Sequence, residues 1–263
     1  MPDDKESVGW KIGIKNRAKL AREWQAEWKK HQDLAESFRY VRVQGDGFSA
    51  ISISGKNPCG RLIGRDGHPL PNLRPTVGEA VRDATDALRV DDPIDYQPGA
   101  EKKEHKMQAF LIRHALLNNK SMQGVFLGFG NDFDELLFVT DELPAPEHRA
   151  DIIALGRKAD RYFPVFIELK VRRDLTELRR QLNGIRDAMS LVKEDFIEYL
   201  AAASGVVPEK ISFDEHRLML VWMTPTGRER AQVDAFRQDE NGITACYQAE
   251  GDDGYTFVRW PKA

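Results

Sequence analysis

Short apolar runs, rich in β-branched and aromatic residues and separated by polar turns, recur along the second half of the chain. Two of them are Arg149–Leu155 and Val165–Lys170, and each has the composition of a β-strand. The segment between them, Gly156–Arg161, is mostly polar and begins with glycine, which is typical of a hairpin connection. We therefore predict a β-hairpin that folds about its middle, near residue 160.

The segments after this hairpin alternate between the periodicities of helices and strands. Asp174 and Glu177 have the spacing of a helix N-cap and its capping-box partner, which predicts a helix to about Leu191. The apolar stripe of that helix should pack on a sheet and consists of Leu175, Leu178, Leu182, Ile185 and Met189. Further strands are predicted around 138–140 and at 218–223, 242–248 and 255–260 (the last at an edge), with a helix at 227–236. This alternation indicates a mixed α/β fold.

The N-terminal region has a different pattern and resembles no family. Residues 11–30 are basic and carry two tryptophans one helical turn apart, which predicts a helix that either packs or follows a phosphate backbone, with packing favoured. Residues 38–43 and 48–54 have the composition of a second hairpin. We divide the chain into an N-terminal α+β region, residues 1–95, of unknown role, and a second domain, residues 96–263.

Composition narrows the class of protein. The chain has 263 residues, is 41% hydrophobic and carries a formal net charge of −3, so it can bury a sizeable core and is not globally basic. That charge argues against non-specific coating of nucleic acid but not against local contacts. We find no membrane-span or signal-peptide pattern, and expect no membrane association. Cys59 and Cys246 match no metal spacing, so we expect free thiols in the cytoplasm.

The predicted hairpin brings charged side chains together. Folding about residue 160 places Asp151 opposite Glu168. Glu168 and Lys170 are two residues apart and therefore point to one face of a strand, while Leu169 points to the other. Two carboxylates and an amine then meet at one end of an apolar sheet. Burying such charges is costly, and a metal ion would offset that cost.

At these residues the sequence resembles the PD-(D/E)XK superfamily of restriction-endonuclease-like nucleases. The pattern of that superfamily is an acidic residue, then Asp, then Glu-x-Lys, and often a Gln on the next helix. Asp151, Glu168-Leu169-Lys170 and Gln181 match it, although Ala150 stands where the motif has proline. The resemblance covers roughly residues 100 to 250. It implies a mixed β-sheet core flanked by helices, with residues 1–95 as an N-terminal α+β extension.

The upstream acidic residue of the pattern is expected on a helix. Glu104 fits best, because Met107, Phe110 and Leu111 follow it at amphipathic spacing. Glu101 is the competing candidate, but its neighbours three and four positions on are polar.

The resemblance also implies a metal-dependent chemistry. Asp151, Glu168 and the backbone carbonyl of Leu169 would hold Mg²⁺ or Mn²⁺, because hard oxygen ligands suit these ions better than zinc. Lys170 would orient or deprotonate the attacking water and balance charge on the phosphorus, and Glu104 would bind a second ion or position the first. Gln181 is the remaining catalytic candidate. A basic cluster beside the site would contact phosphate: Arg172, Arg173, Arg179 and Arg180.

The leading functional expectation is a metal-dependent nuclease that acts on nucleic acid, with DNA favoured over RNA, and a homodimer would suit an enzyme that cuts two strands. The alternative is a catalytically inactive protein of the same fold that binds nucleic acid or serves in assembly. A third reading is an unrelated α/β protein with a chance motif match, and that reading fails if Asp151, Glu168 and Lys170 converge in space.

Overall fold

The chain folds as a mixed α/β protein around a curled, seven-stranded mixed sheet. The computed structural model describes residues 14, 17–19, 21–22, 104, 107–108, 110–111, 114–115, 118–145, 148–170, 175–237, 241–250 and 254–260. The strands are β1 (Phe126–Leu127), β2 (Glu135–Ala145), β3 (His148–Lys158), β4 (Arg161–Leu169), β5 (Arg217–Trp222), β6 (Gly242–Glu250) and β7 (Gly254–Arg259). In the described residues after the hairpin, the α-helices are α1 (Leu175–Ser190), α2 (Lys193–Ser204) and α3 (Arg228–Arg237). Short 3-10 turns lie at Gln123–Val125 and Pro208–Lys210.

The strand order in the sheet is β1-β7-β6-β5-β4-β3-β2. Strands β2, β3 and β4 form an antiparallel meander, whereas β4, β5 and β6 run parallel. Parallel neighbours need a crossover, which α1 and α2 supply between β4 and β5 and α3 supplies between β5 and β6. Strand β7 is antiparallel to β6 and also pairs with β1. The strand predicted at 255–260 corresponds to β7. Its predicted edge position is wrong, because the two-residue strand β1 pairs with its outer side.

The predicted hairpin is present, but its turn is tighter than expected. The β3–β4 ladder continues to the pair Lys158–Arg161, so most of the segment predicted as a connection is strand. Ala159 has a positive φ of 55°, which lets the chain reverse within two residues. Gly156 lies within β3, where a side chain would collide with the ring of Phe163. The glycine thus marks close packing inside a strand and not the start of a turn.

The helix predicted after the hairpin is confirmed as α1, and four residues of its stripe are buried: Leu178, Leu182, Ile185 and Met189. The proposed cap Asp174 lies outside the described residues. Helix α2 was not predicted, although it begins only three residues after α1 ends. Its buried Phe196 packs against Phe166 of β4 with ring centroids 6.0 Å apart. The predicted strand at 218–223 and helix at 227–236 correspond to β5 and α3.

One continuous hydrophobic core joins the described parts of the chain. It includes Ile14, Ala18 and Ala21, so these residues of the N-terminal region pack with the sheet domain. The predicted second hairpin at 38–54 lies outside the described residues, and the division at residue 95 stays a prediction. Cys246 is a buried free thiol. Within the described ranges, no helix is long and apolar enough to cross a membrane.

Candidate active site

The hairpin register brings Asp151 beside Glu168. The β3–β4 pairs run from Ile152–Ile167 to Lys158–Arg161, and one further step along the same register sets Asp151 opposite Glu168. At that step the Asp151 carboxylate Oδ2 accepts a hydrogen bond of 2.7 Å from the backbone N–H of Leu169. The side chain of Asp151 therefore ties β3 to the end of β4.

Lys170 lies at the centre of three carboxylates. Its Nζ is 3.0 Å from Glu168 Oε1, 3.4 Å from Glu104 Oε2 and 3.7 Å from Asp151 Oδ2. The backbone N–H of Lys170 donates to the carbonyl of Val221, so the chain remains attached to β5 one residue past β4. This bond fixes the backbone of Lys170 at the end of β4, where its side chain reaches the three carboxylates. We call Glu104, Asp151, Glu168 and Lys170 the acid–lysine cluster.

Glu168 is much more deeply buried than the other members of the cluster. Glu168 follows a fully apolar stretch of β4 and is only 3% exposed. Asp151, Lys170 and Glu104 keep about a quarter of their side-chain surface exposed, at 23%, 24% and 26%. The cluster therefore has a closed side at Glu168 and an open side, from which a ligand can approach.

Burial controls the electrostatics of the cluster. Burial, and then the nearby charge of Asp151, raises the pKa of Glu168 to about 8, against an ordinary value of 4.5. Burial alone would lower the pKa of Lys170, but the charges of Asp151, Glu168 and Glu104 outweigh it and raise that pKa above its ordinary value. Lys170 is therefore an ammonium at neutral pH, and it partly compensates a cluster of acidic groups.

Gln108 contacts the cluster from the side and was missed by the sequence analysis. It is helical and one turn beyond Glu104, and it is 2% exposed. Its side-chain Nε2 donates a hydrogen bond of 2.7 Å to the backbone carbonyl of Asp151. The spacing of four residues from Glu104 was the one available signal, because residues i and i+4 share a helix face.

The carboxylates of the acid–lysine cluster offer oxygen ligands for a metal ion. Among the residues that the structure describes, no three His, Cys, Asp or Glu side chains form a group that could hold an ion unaided. Mg²⁺, however, is usually held by only one or two carboxylates together with waters and substrate phosphates. Asp151 and Glu168 fit that smaller set. The buried Oε2 of Glu168 also has no hydrogen-bond partner within the described ranges, so this oxygen could serve as a metal ligand.

The other predicted residues are less directly connected. Gln181 lies in the second turn of α1, half-buried, and its Oε1 is buried without a hydrogen-bond partner in the described part of the chain. It is not among the groups that contact Lys170 there. Arg179 and Arg180 are exposed on α1. Arg172, Arg173 and the competing acid Glu101 lie outside the described residues.

Acidic residues also occur at the opposite end of the hairpin. Asp134 accepts a hydrogen bond of 2.9 Å from the backbone N–H of Ala159 and forms an ion pair of 2.9 Å with Lys158. These bonds hold the turn, and they lower the pKa of Asp134. Asp132 pairs with Arg259. The acidic residues Asp132 and Asp134, just before β2, therefore form structural ion pairs.

Comparison of the chain with protein-family models, with curated proteins and with solved structures found no match.

Proposed function

We propose that this protein is a metal-dependent nuclease with a restriction-endonuclease-like core, and that it hydrolyses phosphodiester bonds in nucleic acid, DNA in preference to RNA. The observation that supports this proposal most strongly is the convergence of Glu168 and Asp151 on Lys170 Nζ, at 3.0 and 3.7 Å, at one end of the β3–β4 hairpin. A chance match of Glu-x-Lys would give no reason for Asp151 to meet the other two. The buried, unpartnered Oε2 of Glu168 adds independent support for a ligand there.

The protein's own residues have distinct roles in this proposal. Asp151, Glu168 and the Leu169 carbonyl would hold Mg²⁺ or Mn²⁺, which when bound polarises a phosphate and lowers the pKa of water. Lys170 is cationic and partly exposed, so it acts by holding a phosphate oxygen and balancing the charge of the transition state. Glu104 orients the Lys170 ammonium from the helical side. Arg179 and Arg180 would contact the nucleic-acid backbone beyond the reacting phosphate.

The test is cleavage of supercoiled plasmid, linear duplex and single-stranded DNA, and of RNA, with Mg²⁺ or Mn²⁺. We expect cutting that requires the divalent ion, stops with EDTA and is lost in Lys170→Ala. Lys158→Ala is the matched control, because Lys158 is on the same hairpin and also pairs with a carboxylate, but at the turn end. That control should cut like the parent protein.

Metal binding is measured separately by calorimetry with Mn²⁺. Asp151→Ala and Glu168→Ala should abolish binding while the fold persists, whereas Asp134→Ala, at the turn end, should bind like the parent. If both site variants bind Mn²⁺ normally, the ligand assignment is wrong. If the folded parent neither binds Mn²⁺ nor cuts any substrate, the nuclease proposal is refuted in favour of a non-catalytic binding or assembly module.

A further inference from the structure

Two hydrogen bonds fix Asp151 next to the end of the β3–β4 ladder, and only one of them lies within the hairpin. Its carboxylate accepts from the Leu169 N–H, which links β3 to β4. Its backbone carbonyl accepts from Gln108, which is 43 residues earlier in the chain. The regular β3–β4 pairs stop at Ile152–Ile167, so the ladder itself does not extend to Asp151. The two bonds hold Asp151 beyond the end of that ladder, whereas the pairs of β3 with β2 continue past it, at Ile152–Asp141 and Ala150–Leu143.

We propose that Gln108 is a positioning residue that fixes the Asp151 peptide, and through it the Asp151 carboxylate, in the orientation that binds the metal. The amide of Gln108 is the right group for this task because it donates to a carbonyl without adding charge to an acidic cluster. Gln108 is only 2% exposed, so water has little access to compete for its hydrogen bond to the Asp151 carbonyl.

The helix that carries Gln108 contacts the cluster at a second point. Glu104, one turn earlier, reaches Lys170 Nζ at 3.4 Å. Two residues of one helical face therefore contact the hairpin. Gln108 donates to a main-chain carbonyl of β3, and Glu104 forms an ion pair with Lys170, just after β4. A shift of this helix would therefore act on both Asp151 and Lys170.

The inference rests on the proposed function, and its test has two readouts that separate the two ideas. Gln108→Leu and Gln108→Met both remove the donor with little change of volume, and two variants are used in case one fails to fold. The first readout is hydrogen exchange of the Leu169 amide by NMR under native conditions. We expect exchange about tenfold faster, because an unanchored Asp151 holds that N–H less well.

The second readout is Mn²⁺ affinity by calorimetry, which should fall by about 10- to 100-fold, as for other residues that orient metal ligands. Met107→Ala is the control. Met107 is buried beside Gln108 on the same helix, so its loss loosens packing but leaves the bond to Asp151 intact. That variant should be less stable, with Leu169 exchange and Mn²⁺ affinity like those of the parent.

Parent-like Leu169 exchange in both Gln108 variants would overturn the inference, whatever the metal result. Equal acceleration in Met107→Ala would also overturn it, because general loosening would then be the cause. Faster exchange with unchanged Mn²⁺ affinity would refute the role in metal binding. A parent that neither binds Mn²⁺ nor cuts any substrate refutes the proposed function instead, and Leu169 exchange still decides whether Gln108 holds Asp151.

Discussion

Replacing Glu168 by glutamine should make the stability of the protein less dependent on pH. The substitution preserves the size of a side chain that is 3% exposed and removes its ability to ionise. Burial, and secondarily Asp151, raises the pKa of Glu168 from 4.5 to about 8. Between these values the folded protein keeps a proton that the unfolded chain has released. The parent protein should therefore lose stability as pH rises through this window and level off above about pH 8.

The size of the effect follows from the width of the window. The pKa rises by about 3.5 pH units, and each unit is a tenfold change in the equilibrium, so the upper bound is about 5 kcal/mol. Structural relaxation and water penetration reduce such costs in real proteins, and we expect a difference of at least about 2 kcal/mol. The raised pKa of Lys170 does not change the pH dependence within the window. The stability that it contributes is constant there and is lost only above the ordinary lysine value of 10.5.

The assay is urea unfolding of the parent and of Glu168→Gln, followed by tryptophan fluorescence in EDTA, across the range from about pH 5 to about pH 8.5. The two proteins should be closest in stability at the acid end, where Glu168 of the folded parent is protonated and as uncharged as the glutamine that replaces it. The variant should be the more stable at the alkaline end. The lowered pKa values of His114 and His216 affect both proteins alike, so they cancel in the difference.

Glu135→Gln provides the matched control, because Glu135 forms a partly exposed pair with Arg157 at 3.0 Å on a neighbouring strand. It should keep the pH slope of the parent. A stability difference between the parent and Glu168→Gln that is constant over the whole range would refute the reasoning. A variant that is less stable at alkaline pH would show that the Lys170 ion pair stabilises the ionised Glu168 more than burial destabilises it.

Three further substitutions test the fold of the hairpin and of helix α1. Gly156→Ala would place a Cβ 2.5 Å from Cε2 of buried Phe163 and should cost about 1–3 kcal/mol in urea unfolding; a fully stable variant would contradict that packing. Leu182→Ala empties a buried position on α1 and should cost about 2–5 kcal/mol by the same measurement, whereas a loss well below this would mean that α1 packs loosely on the sheet. Asp134→Ala removes the acceptor of the Ala159 N–H, so exchange at Ala159 should accelerate while Mn²⁺ binding stays unchanged; altered binding would mean that the two hairpin ends are coupled.

The strands and helix α1 could be predicted because their signals are local. Burial of Leu178 and Leu182 follows from spacing along one helix, and β4 follows from one apolar run. The position of Asp151 opposite Glu168 was also predictable, although the turn boundaries were wrong. In an antiparallel hairpin the two strands extend equally from the turn, so an error in their length leaves the register unchanged.

Helix α2 and strand β1 were not predictable in the same way. The apolar positions of α2 are Phe196, Tyr199, Leu200, Ala201 and Ala203. They include three successive buried residues, so they do not form the narrow stripe that marks an amphipathic helix. Strand β1 has only two residues and exists because it pairs with β7, more than a hundred residues later. No local pattern carries a pairing over such a distance.

The sequence by itself determined which residue types could meet at the end of the hairpin: two carboxylates and a lysine, at spacings that a strand and a turn translate into proximity. The tertiary structure alone decided how those groups behave. The pKa of Glu168 depends on what packs over it, and the orientation of Asp151 depends on Gln108, which comes from a separate helical segment. Desolvation and long-range hydrogen bonds are properties of the assembled core, so they appear only when distant segments have come together.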